Sequence, residues 1–250
     1  MSQSIERAVE VLMLVGEKPQ TPSEISRHLD VHRSTALRIM EVLLNQRLLR
    51  KLPDGAYGIG PGLLSLAWHA QDQFALVRLA RPRLMALSEL YDQTVHLAEL
   101  QTDQIVYIDK IEPKRSIRLT SRVGDAVCLH TASVAKSILA FADPGTREQL
   151  LAGHEFKRFT PTTITSEKSY LETLEAVRER GWSTDDGELE DYINCLGAPI
   201  RDVSGQVVAA VSIIELKAKS DLKVMESTVL KPLQEAAEAI SCELGWVATR

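Results

Sequence analysis

The chain has 250 residues in an ordinary globular balance, 44% hydrophobic and 25% charged, which leaves room for one large or two medium domains, each with an adequate core. Its net charge of −5 excludes a protein that coats nucleic acid indiscriminately; residues 1–62 carry eight Lys/Arg against seven Asp/Glu, a balance of +1 that leaves −6 on the remainder. Cys128, Cys195 and Cys242 are widely spaced and form no CxxC or Cys/His cluster, so no disulfide framework, metal or cofactor is expected. There is no signal-peptide pattern and no apolar run near the ~20 residues that span a bilayer, which points to a cytoplasmic protein without a membrane partner.

Taken in order, Ile5 to Val15 is predicted as a helix, with Ile5, Ala8, Val9, Leu12 and Val15 at helical spacing and Gly16 ending it. Lys18 to Pro22 is a stiff connector. Thr21 with Glu24 three residues on, and Pro22 at the first helical position, predicts a capping box. Ile25 and Leu29 share one face of that short helix, which breaks at Asp30-Val31. The next helix places Leu37, Met40, Val42, Leu43 and Leu44 on an apolar side and Arg33, Ser34, Thr35 and Arg38 on a polar front. About 13 residues at ~1.5 Å each give ~20 Å, enough to lie along a major groove. Two short strands, Leu48–Lys51 and Tyr57–Ile59, flank the turn Pro53-Asp54-Gly55.

A plain αα-hairpin with a solvated face is the alternative for the helix pair alone. Helix, turn, helix and then a basic hairpin is a winged helix, and that order favours DNA binding. The expected contacts to double-stranded operator DNA are Thr21, Arg33, Ser34, Thr35 and Arg38, with Arg50 and Lys51 of the wing on phosphates.

After Gly60-Pro61-Gly62, the residues Leu63, Leu66, Ala67, Ala70, Phe74 and Val77 form a helical stripe with little local core to cover. A partner helix from a second subunit is the economical reading, with packing on the chain's own C-terminal domain as the alternative. Downstream the pattern is mixed. Helices are predicted over 82–91, 132–141, 169–180 and 221–244, the last either kinked or restarted at Pro232. Strands are predicted over 94–100, 105–111, 117–123, 182–185, 193–200 and 206–214. The expected fold is α+β in two domains. Residues 1–62 form the winged helix-turn-helix and 63–79 a linker or dimerisation helix. Residues 80–250 form an antiparallel sheet with packed helices.

The chain resembles the isocitrate-lyase-regulator (IclR) family of bacterial transcription factors over its full length. Beyond the winged helix, the resemblance rests on Arg122-Val123-Gly124-Asp125, the run Leu129 to Lys136, the run Arg180 to Glu190, and Cys195 to Ile200 leading into Asp202 to Ser212. It implies a GAF-like effector-binding domain, dimers or tetramers, and DNA binding altered by a small acidic or aromatic metabolite. Position by position, it implies that Leu129, His130, Ala132, Ser133, Val134, Asp185, Cys195, Ser212 and Ile214 surround the effector. The Leu129–Lys136 segment would supply backbone N–H donors suited to a carboxylate. Val134 stands where the family usually has Gly, and Ile214 where a second pocket serine is common, which leans the pocket toward an apolar or aromatic effector.

Each pocket residue has a plainer alternative: Cys195 as a small buried hydrophobe, Ser212 as a partner for strand backbone, and Asp185 as part of a solvated acidic loop. His96 and His130 are read first as satisfied, partly buried histidines. An enzyme with Cys195 as nucleophile, His130 as base and Asp185 as orienter lacks any local support such as a nucleophile elbow or phosphate loop. A DNA-binding architectural protein without a ligand would have little use for the large α/β domain. No catalytic and no metal-ligating residues are therefore assigned. The reading is a ligand-responsive regulator, in the resembling family commonly a repressor, that binds a pseudo-palindromic operator as a dimer or tetramer.

Overall fold

The computed structural model describes residues 3–113 and 119–247, and the chain divides into two compact units, Met1–Ala75 and Leu76–Arg250. In the first unit, α1 (Gln3–Glu17), α2 (Pro22–His28) and α3 (Arg33–Asn45) pack around Val11, Val15, Ile25, Leu29, Ala36, Met40 and Leu43. The capping box at α2 is closed on both sides. Thr21 N–H donates to Glu24 Oε2 at 2.7 Å, and Glu24 N–H donates to Thr21 Oγ1 at 3.3 Å. The turn into α3 places Asp30 at φ 48, and Ser26 Oγ donates to Val31 O at 2.7 Å.

The wing is the antiparallel pair β1 (Leu49–Lys51) and β2 (Tyr57–Ile59), with Arg50 opposite Gly58 and Lys51 opposite Tyr57. Outside that ladder, Gln20 exchanges backbone hydrogen bonds with Tyr57, which ties the connector before α2 to the wing. Gly60 closes the wing against the end of α3. A Cβ there would lie 2.3 Å from Arg47 O and 2.6 Å from Leu49 O, so no side chain fits. Next comes α4 (Pro61–Gln73).

Three expectations for this unit need correction. The face of α1 that packs is built on Val11 and Val15, whereas Ile5 and Val9 are exposed. An apolar residue occupies almost every direction around α1, so spacing alone does not single out one stripe. On α3, Leu37 and Val42 lie outside the core, for the same reason. The stripe read as one helix over 63–78 is two helices, because α4 ends at Gln73 and α5 (Ala75–Tyr91) begins after Phe74.

The second unit is a five-stranded antiparallel sheet in the order β4-β3-β7-β6-β5. Its strands are β3 (Thr94–Leu100), β4 (Ile105–Ile111), β5 (Ser183–Asp186), β6 (Ile193–Arg201) and β7 (Val207–Leu216). On one face, Val95, Leu97, Leu196, Val211 and Ile213 pack against α5, α9 (Leu222–Thr228) and α10 (Leu230–Glu243). On the other face lie α6 (Ser133–Leu139), α7 (Pro144–Leu151) and α8 (Glu167–Arg180), around Ala98, Ile138, Leu139, Tyr170 and Leu174. Alternation along β7 sends Val211 and Ile213 to the first face and Ala210 to the second.

The β3–β4 hairpin has the predicted limits. The predicted strand over 117–123 falls partly outside the described residues, and 119–123 are not in a strand. The predicted helix from 82 begins at Ala75 instead and carries Pro82 inside it. The final helix is two, with Pro232 near the start of the second, where a missing N–H costs no intrahelical bond. The short α7, capped by Asp143 accepting from Thr146 N–H, was not anticipated.

Candidate functional site

Two regions bring the predicted site residues together. On the first unit, α3 turns Arg33, Ser34, Leu37, Arg38 and Glu41 outward, while Thr35 is half-buried beside α1. Thr35 and Arg38 also line a groove between α1 and α3 together with Val9 and Val42. The helix start is held by His32, whose Nδ1 accepts from Ser34 N–H at 3.3 Å and lies 2.8 Å from Ser34 Oγ. A histidine cap carries no sequence signal comparable to Ser, Thr, Asp or Asn. Arg50 and Lys51 are exposed on the wing, and Thr21 is engaged in its capping box. The backbone thus holds an exposed basic and hydroxyl face on a capped helix, next to two wing cations.

On the second unit, a cavity of about 40 Å³ opens between the sheet and the start of α6. The strand register builds its floor. Asp185 stands opposite Cys195 and Cys195 opposite Ile214; in the next row Ser183 stands opposite Gly197, Gly197 opposite Ser212, and Ser212 opposite His96. The two rows are two residues apart and share a face. Ala132, Ser133 and Val134 close the cavity from above. Gly197 sets that closeness, since a Cβ there would lie 2.5 Å from Ser183 Oγ and 2.9 Å from Ser133 O. The cavity therefore gathers Ala132, Ser133, Val134, Asp185, Cys195, Ser212 and Ile214. Leu129 and His130 lie outside it.

Tyr107, Ser121, Glu190 and Ile193 also line the wall and were not singled out from the sequence, because only the tertiary fold brings them there. Ser121 Oγ lies 3.1 Å from His96 Nε2, and Thr120 Oγ1 donates to Glu190 Oε1 at 2.8 Å. Burial, with the charge of Lys110 adding to it, drives His96 down to about 3, so its ring is neutral at neutral pH.

Beneath the cavity lies a buried charge cluster. Lys136 on α6 reaches through the core to donate to Glu188 Oε1 at 2.5 Å and to Thr184 O at 2.9 Å. Glu188 N–H in turn donates to Asp185 Oδ1 at 2.7 Å. Burial raises Asp185 to about 6 and Glu188 to about 7, against the opposing pull of the Lys136 ammonium. Burial and the Asp185 carboxylate raise the Cys195 thiol well above its ordinary value, so it is a neutral wall group and a poor nucleophile. A lysine inside the small and apolar run Ala132–Ala142 was the available signal for this cluster.

His130 belongs to a different network. Its Nε2 lies 3.0 Å from Lys157 O and must donate there, which leaves Nδ1 to accept from His154 Nε2 at 2.8 Å. Cys128 Sγ is 3.7 Å from the same Nδ1, and Phe156 and Phe159 pack on the ring. Tyr170 OH donates to Leu129 O. The His130, Cys195 and Asp185 of the enzyme alternative thus occupy two separate networks.

A winged-helix reading unit joined to an α+β unit with a small polar cavity defines a one-component regulator architecture. Residues 4–53 match the IclR helix-turn-helix domain, and residues 68–242 match the bacterial transcriptional regulator IclR C-terminal domain. The chain is similar to the HTH-type transcriptional regulator KdgR of Escherichia coli, 30% identical over 97% of this chain and 93% of that one. Among solved structures, that of the Thermotoga maritima IclR is 32% identical with a TM-score of 0.83, covering 97% of this chain and 98% of that one. An IclR homologue from Microbacterium hydrocarbonoxydans, solved in complex with 4-hydroxybenzoate, shares the fold at 23% identity, with a TM-score of 0.83 over 97% of this chain and 99% of that one. The chain belongs to the IclR family; it is a DNA-binding transcriptional regulator and not an enzyme. Among the described residues, no helix is long and apolar enough to cross a membrane.

Proposed function

We propose that the chain is a repressor working in the cytoplasm, which binds a pseudo-palindromic operator as a dimer or dimer of dimers and is switched by a small organic metabolite in the α6–sheet cavity. Arg33, Ser34, Thr35 and Arg38 read the major groove, Thr21 fixes the entry of the helix pair, and Arg50 and Lys51 hold flanking phosphates. Subunits pair through α4, whose Leu64, Leu66 and Trp68 are 73%, 57% and 64% exposed; three large apolar side chains on one helix favour burial against a second copy. The linker region carries the switch from cavity to reader, and a coupling of about 1–3 kcal/mol is enough to change operator occupancy.

The observation that carries this reading is the cavity: a buried carboxylate and a buried hydroxyl, Asp185 and Ser212, face a space that the core does not fill. The test is binding of the full chain to the DNA upstream of its own gene, titrated with salt against a scrambled duplex, and repeated with metabolites. Sequence-specific binding with a log–log salt slope of roughly −0.9 per phosphate contact, altered by a metabolite in wild type and not in Ser212→Ala, supports it. Equal binding to both duplexes under every condition overturns it.

A further inference from the structure

The polar groups that face the cavity form an unusual set for an anion site. Asp185 Oδ2 has only the weak contact from Cys195 Sγ at 3.9 Å, since its other oxygen takes Glu188 N–H. Ser212, 2% exposed, and the Tyr107 hydroxyl have no hydrogen-bond partner among the described residues. The remaining carboxylate on the wall is Glu190.

Cations stand nearby but are committed elsewhere. Lys136 is held by Glu188 and Thr184 O, and Lys217 by Asp186. Lys110 is held by Glu112 and the carbonyls of Leu119 and Ser121. Among the described residues, none of these ammonium groups lines the cavity. A buried carboxylate accepts hydrogen bonds and donates none, so its natural partner is an O–H donor; a second carboxylate placed beside it brings like charge and no proton.

Size narrows the choice further. A water needs roughly 10–15 Å³ of such space, and a cavity of roughly 150 Å³ is known to hold a benzene ring. At about 40 Å³, walled by Val134 and Ile214, the cavity fits a few heavy atoms and no aromatic ring.

We propose that the cavity selects a small uncharged polyhydroxyl compound, a short-chain polyol or hydroxyaldehyde, one hydroxyl of which donates to Asp185 Oδ2 while another bonds the Ser212 and Tyr107 hydroxyls. This rests on reading the cavity as the effector site. Burial raises the Asp185 carboxyl to about 6, so at about pH 8 it is ionised, the form that accepts a hydrogen bond from a neutral donor and repels a carboxylate. The titratable groups around Asp185 are Lys136 from α6, Glu188 and Asp186 from its own segment, Cys195 from β6, Tyr107 from β4 and Lys217 beyond β7.

The experiment is calorimetry on the full chain at about pH 8, where Asp185 is ionised. Glycolaldehyde and propane-1,2-diol, small enough for the cavity, are compared with their acid counterparts, glycolate and lactate. At least one neutral compound is expected to bind about tenfold or more tightly than its acid, and to lose about tenfold in Ser212→Ala and in Tyr107→Phe. An acid that binds as tightly as its neutral partner, or no binding by any of the four, overturns the proposal. Specific operator binding by the same preparation would then leave the regulator reading standing. Polyol binding without specific operator binding would sink that reading and keep the ligand class.

Discussion

Lys136 Nζ lies 2.5 Å from Glu188 Oε1, and the two side chains are 1% and 8% exposed. Glu188 Oε2 is buried without a partner among the described residues, so the pair is incompletely compensated. Truncating one member leaves the other uncompensated in the core. Glu188→Ala is expected to destabilise the protein by about 3–5 kcal/mol, while the double change Lys136→Met with Glu188→Leu recovers most of that loss. Urea unfolding of the single and double variants measures both.

Asp185 and His96 face one cavity, and burial moves them in opposite directions. The folded-state value of Asp185 lies above its unfolded one, so its contribution is full below about 4 and is lost as pH rises through about 6. Asp185→Asn therefore gains stability relative to wild type as pH climbs across that window. For His96 the folded value is depressed, so its contribution is present above about 6.5 and lost as pH falls toward about 3. His96→Gln should flatten the acid limb. Thermal unfolding of the two variants from pH 4 to 8 separates them, and the same sign of change in both would refute the assignment.

Arg38 and the wing cations are expected to differ in kind. Arg38→Ala should relax preference at one base position by ~1–3 kcal/mol. Arg50→Ala with Lys51→Ala should weaken all duplexes alike and reduce the salt slope by roughly 0.9 per lost contact. Fluorescence anisotropy on a set of single-base operator variants distinguishes the two patterns.

The exposed apolar residues of α4 give a further prediction. Leu64→Gln with Trp68→Gln should shift the full chain toward monomer in sedimentation velocity, with its far-ultraviolet spectrum unchanged. An unaltered sedimentation coefficient would place the subunit contact elsewhere.

Local signals in the sequence were strong where one residue type has one physical use. Thr21, Pro22 and Glu24 specified the start of α2, and the apolar and β-branched runs over 94–100 and 105–111 specified the strands β3 and β4. The α1 stripe misled because Ile5, Val9 and Met13 are apolar without being buried. The break at Phe74 has no Gly or Pro to announce it. Of the residues lining the cavity, Asp185, Cys195, Ser212 and Ile214 were pointed to by the family resemblance alone. Tyr107 and Ser121 depend on pairing between distant segments, and Lys136 is buried against the usual preference of its type.

Gly197 carries a consequence for how such a protein diversifies. The backbone of β6 passes so close to Ser133 and Ser183 that any side chain at 197 would separate α6 from the sheet. Val134 and Ile214 line the cavity without being among the atoms of that close approach. Ligand scope can therefore drift by single substitutions at 134 and 214, on a scaffold where 197 tolerates no change. A directed library built for new inducers should randomise the first two positions and spare the third.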